Sequence, residues 1–255
     1  MNLNLFDKVF IISGSSRGIG KGIAQVLLGE DACVMLTGRD AESLTATYDE
    51  FYSRYSDRVL QCAGDLNNVE ILKKVEKMVL QKWSKIDGIV ANAGTVKPIE
   101  EWDIPDSDWE WYFTANLKVA VRFVTHFIPH LQQTGGTVVL IGSIAGLEDI
   151  GAPLPYSASK AALAMYAKGL ARKVAHNRIR VNMVAPGNII FPGGNWDNKQ
   201  KSDPDGIDKL IKEKVPLQQF GSPEDIGNIV AFIFSEKARF ITGSCFVVDG
   251  GQISS

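Results

Sequence analysis

Cysteine is scarce in this chain: Cys33, Cys62 and Cys245 are the only three in 255 residues, and none shows CxxC spacing. An odd, scattered set argues against a disulfide framework and against a zinc ribbon. Histidine is as sparse. His126 and His130 stand four apart, a spacing that suits zinc, but no HExxH glutamate accompanies them and Pro129 intrudes, so no metal site is expected. Positive charge is not in excess either. With 27 Lys and Arg against 29 Asp and Glu the net charge is -2, which argues against a nucleic-acid backbone as partner. No apolar run approaches the roughly 18 residues of a membrane span. Residues 1–8 carry no basic segment followed by an apolar stretch, as a secretion signal would. Repeats, low-complexity tracts and Pro/Gly/Ser linkers are missing as well. These absences lead us to expect a reduced, soluble, cytoplasmic protein with no membrane partner, either an enzyme or a ligand-binding module.

What is present is an ordinary globular composition, 45% hydrophobic and 22% charged. A chain of this length buries about 75% of its unfolded surface, enough for a core without staples. Short β-rich apolar runs stand at 9–12, 33–37, 59–62, 86–91, 137–141, 179–185 and 245–248. Most are nearly continuous in apolar residues, as strands covered on both faces by helices should be. Between them lie segments of helical length, such as 19–28, 69–83, 119–131 and 158–174. Strand and helix in alternation predict an α/β fold, a doubly wound sheet of seven parallel strands with helices on both faces. Those elements use up residues 1–255, so one domain is expected. The stretch 187–205 lacks strong periodicity. It reads as a lid or as disorder, and its place just after a strand favours a substrate lid over about residues 188–214.

Directly after the first apolar run comes Ser13-Gly14-Ser15-Ser16-Arg17-Gly18-Ile19-Gly20, opening into a helix. Three glycines there permit a tight turn, close approach of a cofactor and close helix–strand packing. A helix N-terminus at that place offers N–H groups to a pyrophosphate. The spacing is GxxxGxG, not GxGxxG, and no Gly-Lys-Ser/Thr follows as in a P-loop. The turn predicts a dinucleotide-binding Rossmann fold. Cofactor choice is read after the second run, at Thr37-Gly38-Arg39-Asp40. Arg39 and Arg17 together offer two guanidinium forks to a 2'-phosphate, which favours NADP(H) over NAD(H). Asp40 either meets a ribose hydroxyl, as in NAD enzymes, or caps the helix that starts at Ala41; the cap is the favoured reading.

Tyr156-Ser157-Ala158-Ser159-Lys160 sets a phenol and an ammonium four residues apart, on one face of a helix. Pro153 and Pro155 suit the start of such a helix. A nearby cation favours the phenolate and pulls a tyrosine down from its ordinary value of about 10. Ser143 follows the run 137–141, at the carboxyl end of a strand, where open α/β sheets bind ligands. Gly142-Ser143-Ile144-Ala145-Gly146 is not a GxSxG elbow, so a serine hydrolase is disfavoured.

These residues, in this order, resemble the short-chain dehydrogenase/reductase family in its single-domain branch, over nearly the whole chain. Gly14, Gly18 and Gly20 match its cofactor turn, with Ser13 where threonine is more frequent. Asn92-Ala93-Gly94 is similar to its NAG element, and Asn116, Ser143, Tyr156 and Lys160 to its catalytic tetrad. The resemblance implies cofactor contacts at Gly14, Ser16, Arg17, Gly18, Ile19, Gly20, Arg39, Asp65, Leu66, Asn92, Ala93, Gly94, Tyr156, Lys160, Pro186, Gly187 and Ile189. Asp249-Gly250-Gly251 resembles the family's ending. Two departures stand out: Ala91 replaces the first asparagine of NNAG, and Asn188-Ile189-Ile190-Phe191-Pro192 lacks the threonine that follows Pro-Gly.

The activity so implied is interconversion of a ketone and a secondary alcohol. Ser143 orients the carbonyl, Tyr156 is the acid/base, Lys160 lowers its pKa and holds ribose hydroxyls, and Asn116 anchors a relay water. A small-molecule carbonyl or alcohol as substrate, and a homodimer or homotetramer, are implied with it. Two alternatives are a catalytically silent nucleotide-binding regulator and, less favoured, a sugar-nucleotide epimerase or dehydratase. Trp102, Trp109, Trp111, Tyr112 and Phe113 are expected to pack rather than to grip a ligand. Trp196, in the lid, is a candidate substrate contact. The charges around Lys199, Lys201, Asp203 and Asp205 read as solvated surface.

Overall fold

The first strand, β1 (Val9–Ile12), is buried along its whole length and alternates its side chains between two separate cores. Val9 and Ile11 point into one; Phe10 and Ile12 point into the other. That alternation is the period of two that a strand must show, and it implies cover on both sides. The computed structural model, which describes residues 2–99 and 101–254, supplies that cover with helices.

Six further strands join β1: β2 (Cys33–Gly38), β3 (Val59–Ala63), β4 (Gly88–Ala91), β5 (Thr137–Ile141), β6 (Arg180–Pro186) and β7 (Cys245–Val248). Their order is β3-β2-β1-β4-β5-β6-β7, and every pairing is parallel. Register runs from Ile11 to Met35 on one side and from Ile11 to Ile89 on the other. Because the order reverses direction at β1 and β4, the loops leaving these two strands part and open a crevice at their carboxyl ends.

One core holds α3 (Val69–Trp83), α5 (Val119–Thr134) and α6 (Leu154–Val174) against the sheet. The other holds α1 (Gly18–Gly29), α2 (Ala41–Tyr55) and α9 (Pro223–Phe234). Helices α1 and α9 pack unusually close. A β-carbon on Gly22 would lie 2.3 Å from Pro223 Cβ, and one on Gly227 would lie 2.6 Å from Val26 Cγ2. Phe234 stacks on Phe10 at 4.3 Å between centroids, fastening α9 to the sheet.

The α/β class, the seven strands and helices on both faces are as expected. Three details differ. Strand β4 starts two residues late, because the Asp87 carboxylate accepts from the Val9 amide at 2.9 Å and pairs with Lys8 and Lys85. A short helix, α4 (Asp106–Phe113), precedes a single π turn over Thr114–Lys118. The stretch 187–205 is not structureless: it carries α7 (Asn195–Ser202) and leads into α8 (Pro204–Lys214). In α7 only Trp196 is apolar, so no amphipathic period marks it. Asp197 fastens it instead, accepting from the Gly193 amide at 2.8 Å and from Lys201 Nζ at 2.7 Å. In α8, Asp203 caps the Gly206 amide at 3.0 Å, and Ile207 and Ile211 bury against Val215 and Phe220.

Candidate cofactor and active site

The turn after β1 is cross-stitched to the turn after β4. Ser13 Oγ accepts from the amides of Asn92 at 2.8 Å and Ala93 at 2.9 Å. Asn92 Nδ2 donates back to the carbonyls of Ser13 at 3.0 Å and Gly14 at 2.8 Å. Gly14 and Gly18 hold φ of 65° and 57°, a region that favours glycine. A β-carbon on Gly20 would fall 2.3 Å from the Gly14 carbonyl oxygen, so only glycine lets α1 start this close to the turn. The first amides of α1 receive no side-chain cap, and no acidic residue stands in its first turn. A helix end of this kind carries partial positive charge and suits an anion. The turn therefore fits a dinucleotide pyrophosphate. Ser16 and Ile19 lie within it, and Thr47 Oγ1 anchors it by donating to the Ser16 carbonyl at 2.7 Å. The Phe191 ring also touches this turn: a β-carbon on Gly18 would lie 2.7 Å from its Cζ. In the sequence, Phe191 stands out only as part of the segment Asn188–Pro192 that lacks the family's threonine.

At the end of β2, the two readings of Asp40 separate. Its Oδ1 accepts from the Ser43 amide at 2.7 Å, which makes it the N-cap of α2. Hydrogen bonding to Ser43, helped by the positive charge of Arg17, holds this carboxyl below its usual range. Arg17 and Arg39 are both exposed. Asp65 is exposed after β3, its Oδ1 accepting from the Asn67 amide at 2.9 Å, while Leu66 is buried.

The tetrad residues converge at the carboxyl ends of β4 and β5. Tyr156 and Lys160 lie in the first two turns of α6, which begins behind Pro153 with Pro155 in its first turn. Lys160 is only 4% exposed, and its Nζ donates to the Ile141 carbonyl at 3.0 Å. Burial lowers its pKa to about 8. Ser143 caps a 3-10 turn over Ile144–Gly146, its Oγ accepting from the Ala145 amide at 3.2 Å. That turn is pressed on α6: a β-carbon on Gly146 would lie 2.6 Å from the Lys160 backbone. Asn116 is buried in the π turn, where Oδ1 accepts from the Thr95 amide at 2.9 Å and Nδ2 donates to the Tyr112 carbonyl at 3.1 Å. Gly94 joins the two halves, since a β-carbon there would lie 2.9 Å from Asn116 Oδ1 and 3.4 Å from Lys160 Nζ.

The electrostatics of Tyr156 differ from the simple expectation. Burial pushes its pKa up, the Ser143 hydroxyl opposes this, and the neighbouring Tyr112 phenol adds to the rise. Lys160, with its ammonium 5.8 Å from the ring centroid, does not enter that balance. These surroundings favour the neutral, protonated phenol.

On the far side, a β-carbon on Gly187 would meet Asp249 Cβ at 2.6 Å, so Pro186-Gly187 turns tightly under the final strand. The Asp249 carboxylate ties down the ending, accepting from the amides of Gly251 and Ile253 at 2.9 Å each. Ile189 is buried and bridges to Gly221.

Features set aside in the sequence have structural places. Both His126 and His130 turn Nε2 to the Glu76 carboxylate, at 2.7 and 3.1 Å. Among the described residues, no three His, Cys, Asp or Glu side chains are placed to hold a metal ion, and no helix is long and apolar enough to cross a membrane. Of the aromatic cluster, Tyr112 is fully buried, but Trp102 is 85% exposed and does not pack as expected. Trp196 meets Phe220 at 5.6 Å in the small core of α7 and α8, so its ring is engaged there.

Residues 14–252 match the family model described as Enoyl-(Acyl carrier protein) reductase. The chain is 31% identical to the 3-oxoacyl-[acyl-carrier-protein] reductase FabG of Aquifex aeolicus, over 99% of this chain and 100% of that protein. The L-sorbose reductase of Gluconobacter frateurii, solved with NADPH and L-sorbose, superposes with a TM-score of 0.92 at 30% identity, covering 100% of both chains. A 7 alpha-hydroxysteroid dehydrogenase, solved with NADH and 7-oxo glycochenodeoxycholic acid, superposes at 0.89 with 27% identity over 100% of this chain and 97% of that one. With the sheet order, the glycine turn and these likenesses in agreement, the chain belongs to the short-chain dehydrogenase/reductase family of oxidoreductases.

Proposed function

We propose that the chain is an NADP(H)-dependent oxidoreductase that interconverts a ketone and a secondary alcohol, with Tyr156 as general acid/base. The observation that carries this reading is a neutral, half-buried phenol set between the Ser143 hydroxyl and the buried Lys160 ammonium. A bound nicotinamide supplies the hydride; the protein supplies position and electrostatics. Ser143 Oγ donates to the substrate carbonyl oxygen and orients it. Tyr156 Oη passes its proton to the developing alkoxide and takes it back in the reverse direction. Lys160, whose ammonium stays mostly protonated at neutral pH, would hold the ribose hydroxyls of a bound cofactor. Asn116 holds the backbone around Thr95 so that a water can replenish the phenol.

The phosphorylated cofactor is supported by Asp40 being committed to its cap, which leaves Arg17 and Arg39 as the charges at the end of β2. The sorbose reductase bound to NADPH points the same way, whereas the steroid dehydrogenase bound to NADH marks the alternative. Residues 188–214, with α7 and α8, act as the lid of a domain spanning 1–255.

Titrating NADPH and NADH by nicotinamide fluorescence tests the cofactor half. Following cofactor oxidation with L-sorbose, acetoacetyl-coenzyme A and a 7-oxo bile acid tests the chemistry. Tighter NADPH binding and turnover of at least one ketone are expected. Preference for NADH would overturn the cofactor assignment, and binding without any turnover would favour the silent regulator.

A further inference from the structure

We propose that Tyr112 is a positioning residue of this centre: its ring sets the plane of Tyr156, and its hydroxyl holds the loop that walls the substrate cleft. The proposal rests on the acid/base role of Tyr156.

Tyr112 sits at the end of α4, one turn before Asn116, and is the largest fully buried side chain described. Its ring meets Tyr156 edge to face, with centroids 6.4 Å apart and planes at 66°. Such a pair fixes the tilt of each ring more tightly than aliphatic packing does. The hydroxyl accepts from the Lys97 amide at 3.0 Å and donates to the Lys97 carbonyl. Both backbone groups of one loop residue are thus satisfied by a single phenol. Asn116 takes the same loop two residues earlier, at the Thr95 amide, and is itself tied to the Tyr112 carbonyl. The Lys97 ammonium lies 3.9 Å from the Trp111 ring centroid and closes a third clasp. This loop leaves β4 through Gly94, beside Lys160 Nζ. It therefore borders the place where the carbonyl must sit.

Tyr112 and Asn116 stand four residues apart, a spacing that turns both side chains to one side of the helical run, and Asn116 lies in the π turn over Thr114–Lys118, a kind of helix defect frequent at functional sites. The buried phenol stays protonated, since burial raises its pKa, so it donates to Lys97 across the working range.

The two halves of the role separate in two variants. Tyr112→Phe keeps the ring and loses the clasp. Hydrogen exchange at amides 95–98 should quicken roughly five-fold, the worth of one hydrogen bond, and KM for the ketone turned over in the panel should rise by about as much. Its kcat and NADPH affinity should hold within about two-fold. Tyr112→Leu loses the ring as well. Its kcat should fall by at least about ten-fold through misplacement of the phenol, and the apparent pKa of Tyr156 in the pH profile of kcat should move down. Unchanged exchange and KM in Tyr112→Phe would overturn the loop half. An unshifted pH profile in Tyr112→Leu, with kcat reduced only by the unfolded fraction seen in circular dichroism, would overturn the ring half. Tyr156→Phe, run beside them, isolates the underlying assignment: if it keeps its rate, the acid/base role fails while the exchange data still decide the loop.

Discussion

Lys160 is the residue whose energetics most constrain this protein. Its ammonium is buried with one hydrogen bond, to the Ile141 carbonyl, and no acidic partner contributes to its pKa. Burial lowers it from 10.5 to about 8. The unfolded chain keeps the ordinary value, so between these two pH values it holds a proton that the folded chain has released. Stability should therefore rise with pH across that window. Below it the folded protein carries a penalty on the order of 3 kcal/mol for the buried charge. We expect Lys160→Met to be more stable than wild type in thermal melts at pH 7, and the gap to close by pH 10. A gap that is constant with pH would show that burial does not shift the lysine from its ordinary value. Tyr156→Phe should reduce turnover by at least about a hundred-fold, the scale of a lost general acid, while NADPH titration stays as in wild type. Neither environment was legible from the spacing alone. YxxxK places two side chains on one face, but which of them is desolvated depends on β5 and the 3-10 turn pressed against α6.

At the scale of elements, two helix N-termini do different work. That of α1 is left without a side-chain cap, for an anion; that of α2 is closed by Asp40. Removing the cap in Asp40→Ala should cost about 1 kcal/mol in denaturant melts and leave NADH affinity unchanged. A marked loss of NADH affinity would instead make Asp40 a ribose ligand. Arg39→Ala should weaken NADPH by roughly ten-fold through a lost charge-assisted contact, with NADH held within about two-fold, as equilibrium titrations would show. The glycine turn, the capping aspartate and the proline-led α6 were readable because each is local chemistry at fixed offsets. Helix α7 was not, because eight residues with one apolar side chain carry no period. The tie from Asp197 to Gly193 that holds it is set by loop geometry.

For the whole molecule, α6 carries the proposed acid/base pair Tyr156 and Lys160 and, on its outer side, exposes apolar side chains in its first three turns. Leu154 is 54% and Met165 69% exposed, with exposed Ala161 between them on the same stripe. Exposed apolar side chains on one face of a surface helix suit an interaction surface, and they fit the homodimer or homotetramer that the family resemblance implies. Light scattering should give a multiple of the 27.9 kDa chain mass, and Met165→Glu should shift it towards a single chain. A monomeric wild type would remove the oligomer from the proposal.

The sequence by itself determined the α/β class, the seven strands and the glycine turn after the first of them, and named the residues proposed as a tetrad. Those are consequences of period, glycine geometry and residue chemistry at short range, which any neighbourhood in the fold must respect. Tertiary structure decided the rest. It settled Asp40 as a cap, placed Tyr156 among groups that raise rather than lower its pKa, and brought Tyr112 and Phe191 to the centre. Burial, ring packing and close approach join residues far apart in the chain, and no local pattern encodes how those surfaces meet.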